Sequence, residues 1–201
     1  MLINDRQALR SLYPGATERS LRKQLDRLDE HCRRFVGLSP FVVLASVGED
    51  GLPDASPRGG PPGFVRVQDE HTLLLPDSPG NNRLDTLGNI VANRRIGMLF
   101  LVPGVDETLR VNGEARILSE PQLLASFADE KRTPRVVLEI RVREAYLHCA
   151  KALMRSRLWS EEARVERDAL PTMNQMIHDQ IGSAEPPESQ EAMLARYAND
   201  L

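Results

Sequence analysis

Between residues 41 and 142 the chain alternates apolar runs of strand length with tight polar turns, and only one helical segment interrupts them. This pattern limits the fold more than any other feature. Residues 41–47 (FVVLASV) form a β-rich run, Gly48-Glu49-Asp50-Gly51 is a turn cluster, and residues 53–56 are extended again, which predicts a hairpin. Residues 63–67 and 72–75 predict a second strand pair around the polar tip Asp69-Glu70, and 96–102, 108–118 and 135–142 complete the set. Asn112-Gly113 within the 108–118 run reads as a hairpin turn or as a bulge inside one strand. Only residues 83–93 carry a helical stripe, Leu84, Leu87, Ile90 and Val91. Short strands close in sequence with one inserted helix favour an antiparallel barrel over a doubly wound parallel sheet.

Helical segments flank this region. Residues 17–34 place Leu21, Leu25 and Leu28 at helical spacing among charges, with Gly37 as a stop, which predicts one amphipathic helix. The tail from 145 onward is largely helical, with helices at 173–181 and 190–198 separated by the Pro-rich linker 183–189. The expected organisation is an N-terminal helical segment (1–36) packing on the barrel, the barrel itself (37–145), and a helical tail (146–201).

Charge and composition remove several function classes. The 201 residues carry 26 Lys and Arg against 29 Asp and Glu, a net charge of −3, and aromatics are 4%. That argues against an electrostatic or base-stacking nucleic-acid binder. No run of eighteen apolar residues predicts a membrane helix, and Asp5, Arg6 and Arg10 leave residues 1–11 without a signal-peptide core. Two cysteines, Cys32 and Cys149, are too few for a disulfide scaffold and point to the cytoplasm.

Two segments carry the chemistry. Residues 54–67 (DASPRGGPPGFVRV) set Arg58 beside Gly59 and Gly60, where approachable backbone N–H groups and a fixed cation suit a phosphate or a planar heterocycle. Residues 76–83 (PDSPGNNR) lead into the helix, where Asn81, Asn82 and Arg83 add donors to an anion-attracting N-terminus; Asn82 also reads as a simple N-cap. Neither is a Walker loop or a dinucleotide fingerprint. The pairs His31-Cys32 and His148-Cys149 are neighbours that point apart on helix or strand, so no metal site is expected. Asp85, Glu107 and Glu114 read as surface carboxylates without diagnostic spacing.

The order of SPRGGPPGFV, LLLPDSPGNNRLDTLGNIVANRRIGMLF and ETLRVNGEARI resembles the pyridoxamine 5′-phosphate oxidase-related family, over roughly residues 35–159. The resemblance implies an α+β, mainly β fold: a six-stranded, FMN-binding split barrel, forming a homodimer with FMN at the subunit interface. Position by position, it implies that Ser56, Pro57, Arg58 and Gly59 meet the isoalloxazine ring and ribityl chain. It implies that Asn81, Asn82 and Arg83 hold the phosphate and that Asp77 and Ser78 complete the pocket. It implies that Thr108 and Arg110 reach the flavin from the other subunit and that Lys151, Arg155 and Trp159 cover it in trans. Asn-Asn-Arg stands where the oxidases carry an Arg-Lys pair, and their C-terminal Trp and Arg-x-His signature is missing. The expected function is therefore FMN-dependent oxidoreduction of a small organic substrate other than pyridoxamine phosphate, with nicotinamide or oxygen as redox partner. The flavin itself would carry the chemistry, and no catalytic side chain is assigned. The alternative is a non-catalytic FMN carrier or sensor.

Overall fold

A computed structural model describes residues 2–77, 80–128 and 133–198. The chain divides into two compact units, Met1–Arg155 and Ser156–Leu201. The first unit opens with helices α1 (Arg6–Ser11), α2 (Glu18–Arg22) and α3 (Glu30–Leu38). Strands β1 (Phe41–Val47), β2 (Pro53–Gly59), β3 (Arg66–Asp69) and β4 (Thr72–Pro76) follow, then helix α4 (Asp85–Asn93). After it come β5 (Arg95–Leu101), β6 (Thr108–Leu118), α5 (Pro121–Ser126), β7 (Val137–His148) and α6 (Lys151–Ser156).

The strands form one sheet in the order β2-β1-β5-β6-β7-β4-β3, with every pair antiparallel. This is the split-barrel architecture. Among the described residues the sheet has seven strands, one for each extended run of the sequence and one more than the six the resemblance implies, and no ladder closes β2 onto β3. The short hairpin partner β3 is a strand of its own. It starts later than expected, because residues 61–64 form a turn in which the Phe64 N–H donates to the Pro61 carbonyl at 2.9 Å.

Strand alternation builds the core. Val42 and Leu44 of β1, Met98 and Phe100 of β5, Leu109 and Val111 of β6, Leu138 and Ile140 of β7 and Leu73 and Leu75 of β4 are all buried. Ile90 of α4 and Cys32 and Val36 of α3 pack against the same cluster. Burial pushes the Cys32 thiol up to about 12, so it stays protonated and serves packing.

The single helix expected over 17–34 is instead two helices with an extended link. Leu25 bridges Ala145 through reciprocal main-chain hydrogen bonds of 3.0 and 2.8 Å, where β7 runs on past β4. The Leu28 N–H donates to the Glu70 carbonyl at 2.7 Å, and its side chain is buried. The Asp29 carboxylate then accepts the Cys32 N–H at 2.8 Å and starts α3. Satisfying an open strand edge and burying Leu28 outweighs a helical stripe whose Leu21 stays exposed.

Asn112-Gly113 is a bulge rather than a hairpin turn, because the β6–β7 register shifts there. A Cβ on Gly113 would sit 2.2 Å from the Arg141 carbonyl oxygen, so only glycine fits the close approach.

In the second unit, turns of 3₁₀ helix at Glu161–Ala163 and Arg167–Ala169 lead to α7 (Met173–Ile181) and α8 (Gln190–Ala198), at the bounds expected. Thr172 caps α7, Gly182 ends it with a φ of 64°, and Glu188 pairs with Arg196 at 2.8 Å. Among the described residues no helix is long and apolar enough to cross a membrane.

Gly113→Ala is expected to cost about 1–3 kcal/mol. Gly88→Ala, on an exposed turn of α4 with open space around the new Cβ, is expected to stabilise by roughly 0.5–1 kcal/mol. Urea unfolding midpoints of the two variants would check both signs.

Candidate functional site

The register of β2 against β1 sets one wall of the site. Ser46 faces Asp54, Leu44 faces Ser56 and Val42 faces Arg58, so these three β2 side chains lie on the core side of the sheet. Among the described residues no further strand pairs beyond β2, and the polar face of the strand borders a cleft of about 590 Å³ instead of a packed interior. Phe64 and Gly59 line the same wall.

The end of β4 supplies the opposite wall. The Asp77 N–H donates to the Val136 carbonyl at 3.0 Å, which ties the chain after β4 to the start of β7. Asp77 Oδ1 lies 3.8 Å from Arg58 Nε, and both side chains are largely buried. Burial pushes the Asp77 carboxyl above the usual carboxylate range, and the Arg58 charge opposes this only in part.

The third wall is the entry to α4. Asn82 and Leu84 both take left-handed backbone, with φ of 58° and 60°, an unfavourable conformation for a branched residue such as leucine. The N-cap is therefore Leu84 and not Asn82, and no described side chain caps the helix. Asn81 Oδ1 accepts the Arg83 N–H at 3.0 Å, and Arg83 Nε donates to Asp85 Oδ2 at 2.8 Å. The cleft thus meets an uncapped helix N-terminus with its positive dipole end, flanked by Asn82, Arg83 and Arg135.

A buried polar network joins these walls. Asp54 accepts hydrogen bonds from Thr86 Oγ1 at 2.7 Å, from Ser56 Oγ at 3.1 Å and from Ser46 Oγ at 3.2 Å. Asn89 Nδ2 donates in turn to Ser46 Oγ at 2.9 Å. Burial pushes the Asp54 carboxyl up, but the three hydroxyl donors and the nearby Arg58 charge outweigh it and hold the group below its ordinary value.

The cleft gathers eight of the residues singled out from sequence: Ser56, Pro57, Arg58, Gly59, Asp77, Asn81, Asn82 and Arg83. Ser78 lies outside the described residues. Thr108 and Arg110 do not line the cleft; they sit on β6 opposite His148 and Tyr146. Arg110 donates to the Tyr146 hydroxyl at 2.9 Å, and Lys23 Nζ donates to the Leu147 carbonyl at 2.6 Å. Burial, with the Arg110 and Lys23 charges, holds His148 below its ordinary value. Lys151 and Arg155 lie on α6, beyond β7, and Trp159 belongs to the second unit. Sequence reasoning missed Asp54, Thr86, Phe64 and Arg135. The i, i+2 spacing of Asp54 and Ser56 was a usable signal, since it puts both on one face of a strand. Among the described residues no three His, Cys, Asp or Glu side chains gather as a metal site.

A curled antiparallel sheet whose split edge and helix N-terminus enclose a cleft defines a split-barrel protein. The sequence matches the pyridoxamine 5′-phosphate oxidase family over residues 28–149, more than half of the chain, and the protein belongs to that family. Among solved structures, a HupZ variant from Group A Streptococcus is 18% identical, with a TM-score of 0.50 over 60% of this chain and 99% of that one. A putative pyridoxamine 5′-phosphate oxidase from Lactobacillus delbrueckii is 20% identical, with a TM-score of 0.49 over 62% and 98%. A pyridoxamine 5′-phosphate oxidase-related, FMN binding protein from Nostoc punctiforme is 14% identical, with a TM-score of 0.42 over 58% and 78%. No curated protein sequence matches the chain.

The two cleft carboxyls have opposite pH signatures. Asp77 is raised in the folded state, so the folded protein holds the extra proton and stability falls as pH rises through the raised value. Asp54 is lowered, so its contribution is present above the unfolded value and is lost as pH falls through the folded one. Asp77→Asn should therefore be more stable than the parent at neutral pH, with the difference closing towards about pH 4. Thermal unfolding across that pH range reads this directly.

Proposed function

We propose that the protein binds FMN in this cleft and acts as an FMN-dependent oxidoreductase on a small organic substrate. The observation that carries the reading is the convergence of Arg58 and the uncapped α4 N-terminus on one cleft. FMN needs an anion site at one end and a polar edge for a planar ring at the other. The volume, about 590 Å³, falls within the range of small-molecule sites.

In this reading the first turn of α4 holds the phosphate through main-chain N–H groups, with Asn82 and Arg83 beside it. Arg58 and Ser56 border the ring, and Phe64 covers its apolar surface. Bound flavin supplies the redox chemistry, taking electrons from a nicotinamide or giving them to oxygen. Arg58, paired to Asp77 and largely buried, is a fixed cation that favours negative charge on the ring end it touches. No step is assigned to a side-chain acid or base.

A homodimer is part of the same proposal. The outward face of β1 and β5 presents Phe41, Val43 and Ala45 beside Leu101, Leu99 and Gly97. An apolar sheet face of this kind is stabilised by a covering surface, and a second copy supplies one with self-complementary shape. The dimer would let Thr108, Arg110, Lys151, Arg155 or Trp159 approach the flavin of the partner. Two free cysteines, Cys32 and Cys149, support action in the reducing cytoplasm.

Purified protein loaded with FMN and desalted should retain about one flavin per chain, read from its visible absorbance. A colourless protein overturns the assignment. Arg58→Ala should weaken FMN binding about tenfold or more, since it removes a charged partner from a largely buried site. Val43→Glu should convert a dimer into a monomer, read by light scattering, because it puts a charge into the covered face. NADH and NADPH oxidation by the loaded protein separates the enzyme from a carrier or sensor.

A further inference from the structure

Asp54, on β2, is a carboxylate that touches both its own strand and α4 beside the cleft. An ionised carboxylate only accepts hydrogen bonds, so Ser46, Ser56 and Thr86 must each donate to it. A hydroxyl has a single proton. Ser56 and Thr86, both on the cleft lining, therefore have no proton left for a ligand. Thr86 lies in the first turn of α4, and its 2.7 Å bond to Asp54 ties that turn to the sheet edge. Ser46 is itself held by Asn89 one helical turn further on, so the helix is anchored to the barrel at two points through one acid.

We propose that Asp54 is the positioning residue of the cleft: it turns the Ser56 and Thr86 hydroxyls into acceptors and sets the α4 N-terminus at its height above β2. This rests on the FMN reading. It assigns the phosphate to main-chain N–H groups and the Asn82–Arg83 donors, and excludes the Thr86 hydroxyl as a phosphate donor. It also assigns Ser56 Oγ to an N–H of the ligand, the kind of donor that the pyrimidine edge of a flavin carries. Specificity follows from this polarity. A ligand with an anion at the helix end and an N–H donor at the β2 end satisfies both, whereas one with an acceptor facing Ser56 leaves two lone pairs opposed.

The test titrates FMN and riboflavin into apoprotein of the parent, Asp54→Asn, Thr86→Val and Thr86→Ser, with thermal unfolding to check folding. Asparagine keeps the shape but brings one acceptor and one donor, so at least one hydroxyl must turn. Asp54→Asn and Thr86→Val should each lower the FMN-to-riboflavin affinity ratio about tenfold, the scale of a lost charge-assisted bond, and Asp54→Asn should also weaken riboflavin, whose ring presents the same N–H to Ser56. The FMN-to-riboflavin preference then collapses, while Thr86→Ser retains it because the hydroxyl still reaches Asp54. If Asp54→Asn does not fold, the Thr86 pair decides alone. A parent that binds FMN, with the preference unchanged in the folded Asp54→Asn and Thr86→Val proteins, overturns the proposal and leaves the FMN reading standing. A parent that binds neither compound overturns both.

Discussion

β2 carries prolines at 53 and 57, and a proline has no N–H to give to a second neighbouring strand. The strand is therefore held at the edge, paired with β1 alone. An edge strand in a curled sheet still has a core-facing side. Here that side carries Asp54, Ser56 and Arg58 in place of aliphatic residues. Polar side chains at this position leave space unfilled by packing, and the cleft occupies that space. The far wall must then come from the other end of the sheet, which the curl brings round until Asp77 meets Arg58.

The second element of the site is held by strain and by buried polarity together. Two non-glycine residues in left-handed backbone, Asn82 and Leu84, lead into a helix whose N-terminus has no side-chain cap among the described residues. Such an entry is costly by itself and persists only where surrounding contacts over-determine it. Thr86 and Asn89 provide those contacts through Asp54 and Ser46, and Ile90 adds apolar burial one turn on. The uncapped end is thus a stable feature of the fold.

The outer face of the sheet is as informative as the inner one. β1 is buried on alternate residues, yet its outward side chains are apolar as well. Both faces of a central strand are apolar where both are covered. In the proposed dimer this face lies next to the cleft, since the outward residues Pro57 and Gly59 of β2 flank Arg58.

The strands, the inserted helix and the two tail helices were legible in the sequence because each is a local matter of side-chain period and turn chemistry. Both chemically unusual segments were legible for the same reason: glycine, proline, asparagine and arginine clusters mark themselves. The split of the 17–34 segment was not legible, because the competing partner of Leu25 is Ala145, 120 residues away in the chain. The choice between bulge and turn at Gly113 rested on the Arg141 carbonyl, which the dipeptide does not encode. Asp54 opens the 54–67 segment and Thr86 falls in the helical stretch 83–93, but nothing local pairs the two. Only the fold, by setting α4 across the edge of β2, brings them within 2.7 Å. The sequence by itself determined which segments are strands or helices, which face of each is apolar and where donors cluster, since these follow from nearest neighbours along the chain. The tertiary structure decided which donors meet and which way their protons point, because long-range contacts and burial set hydrogen-bond direction.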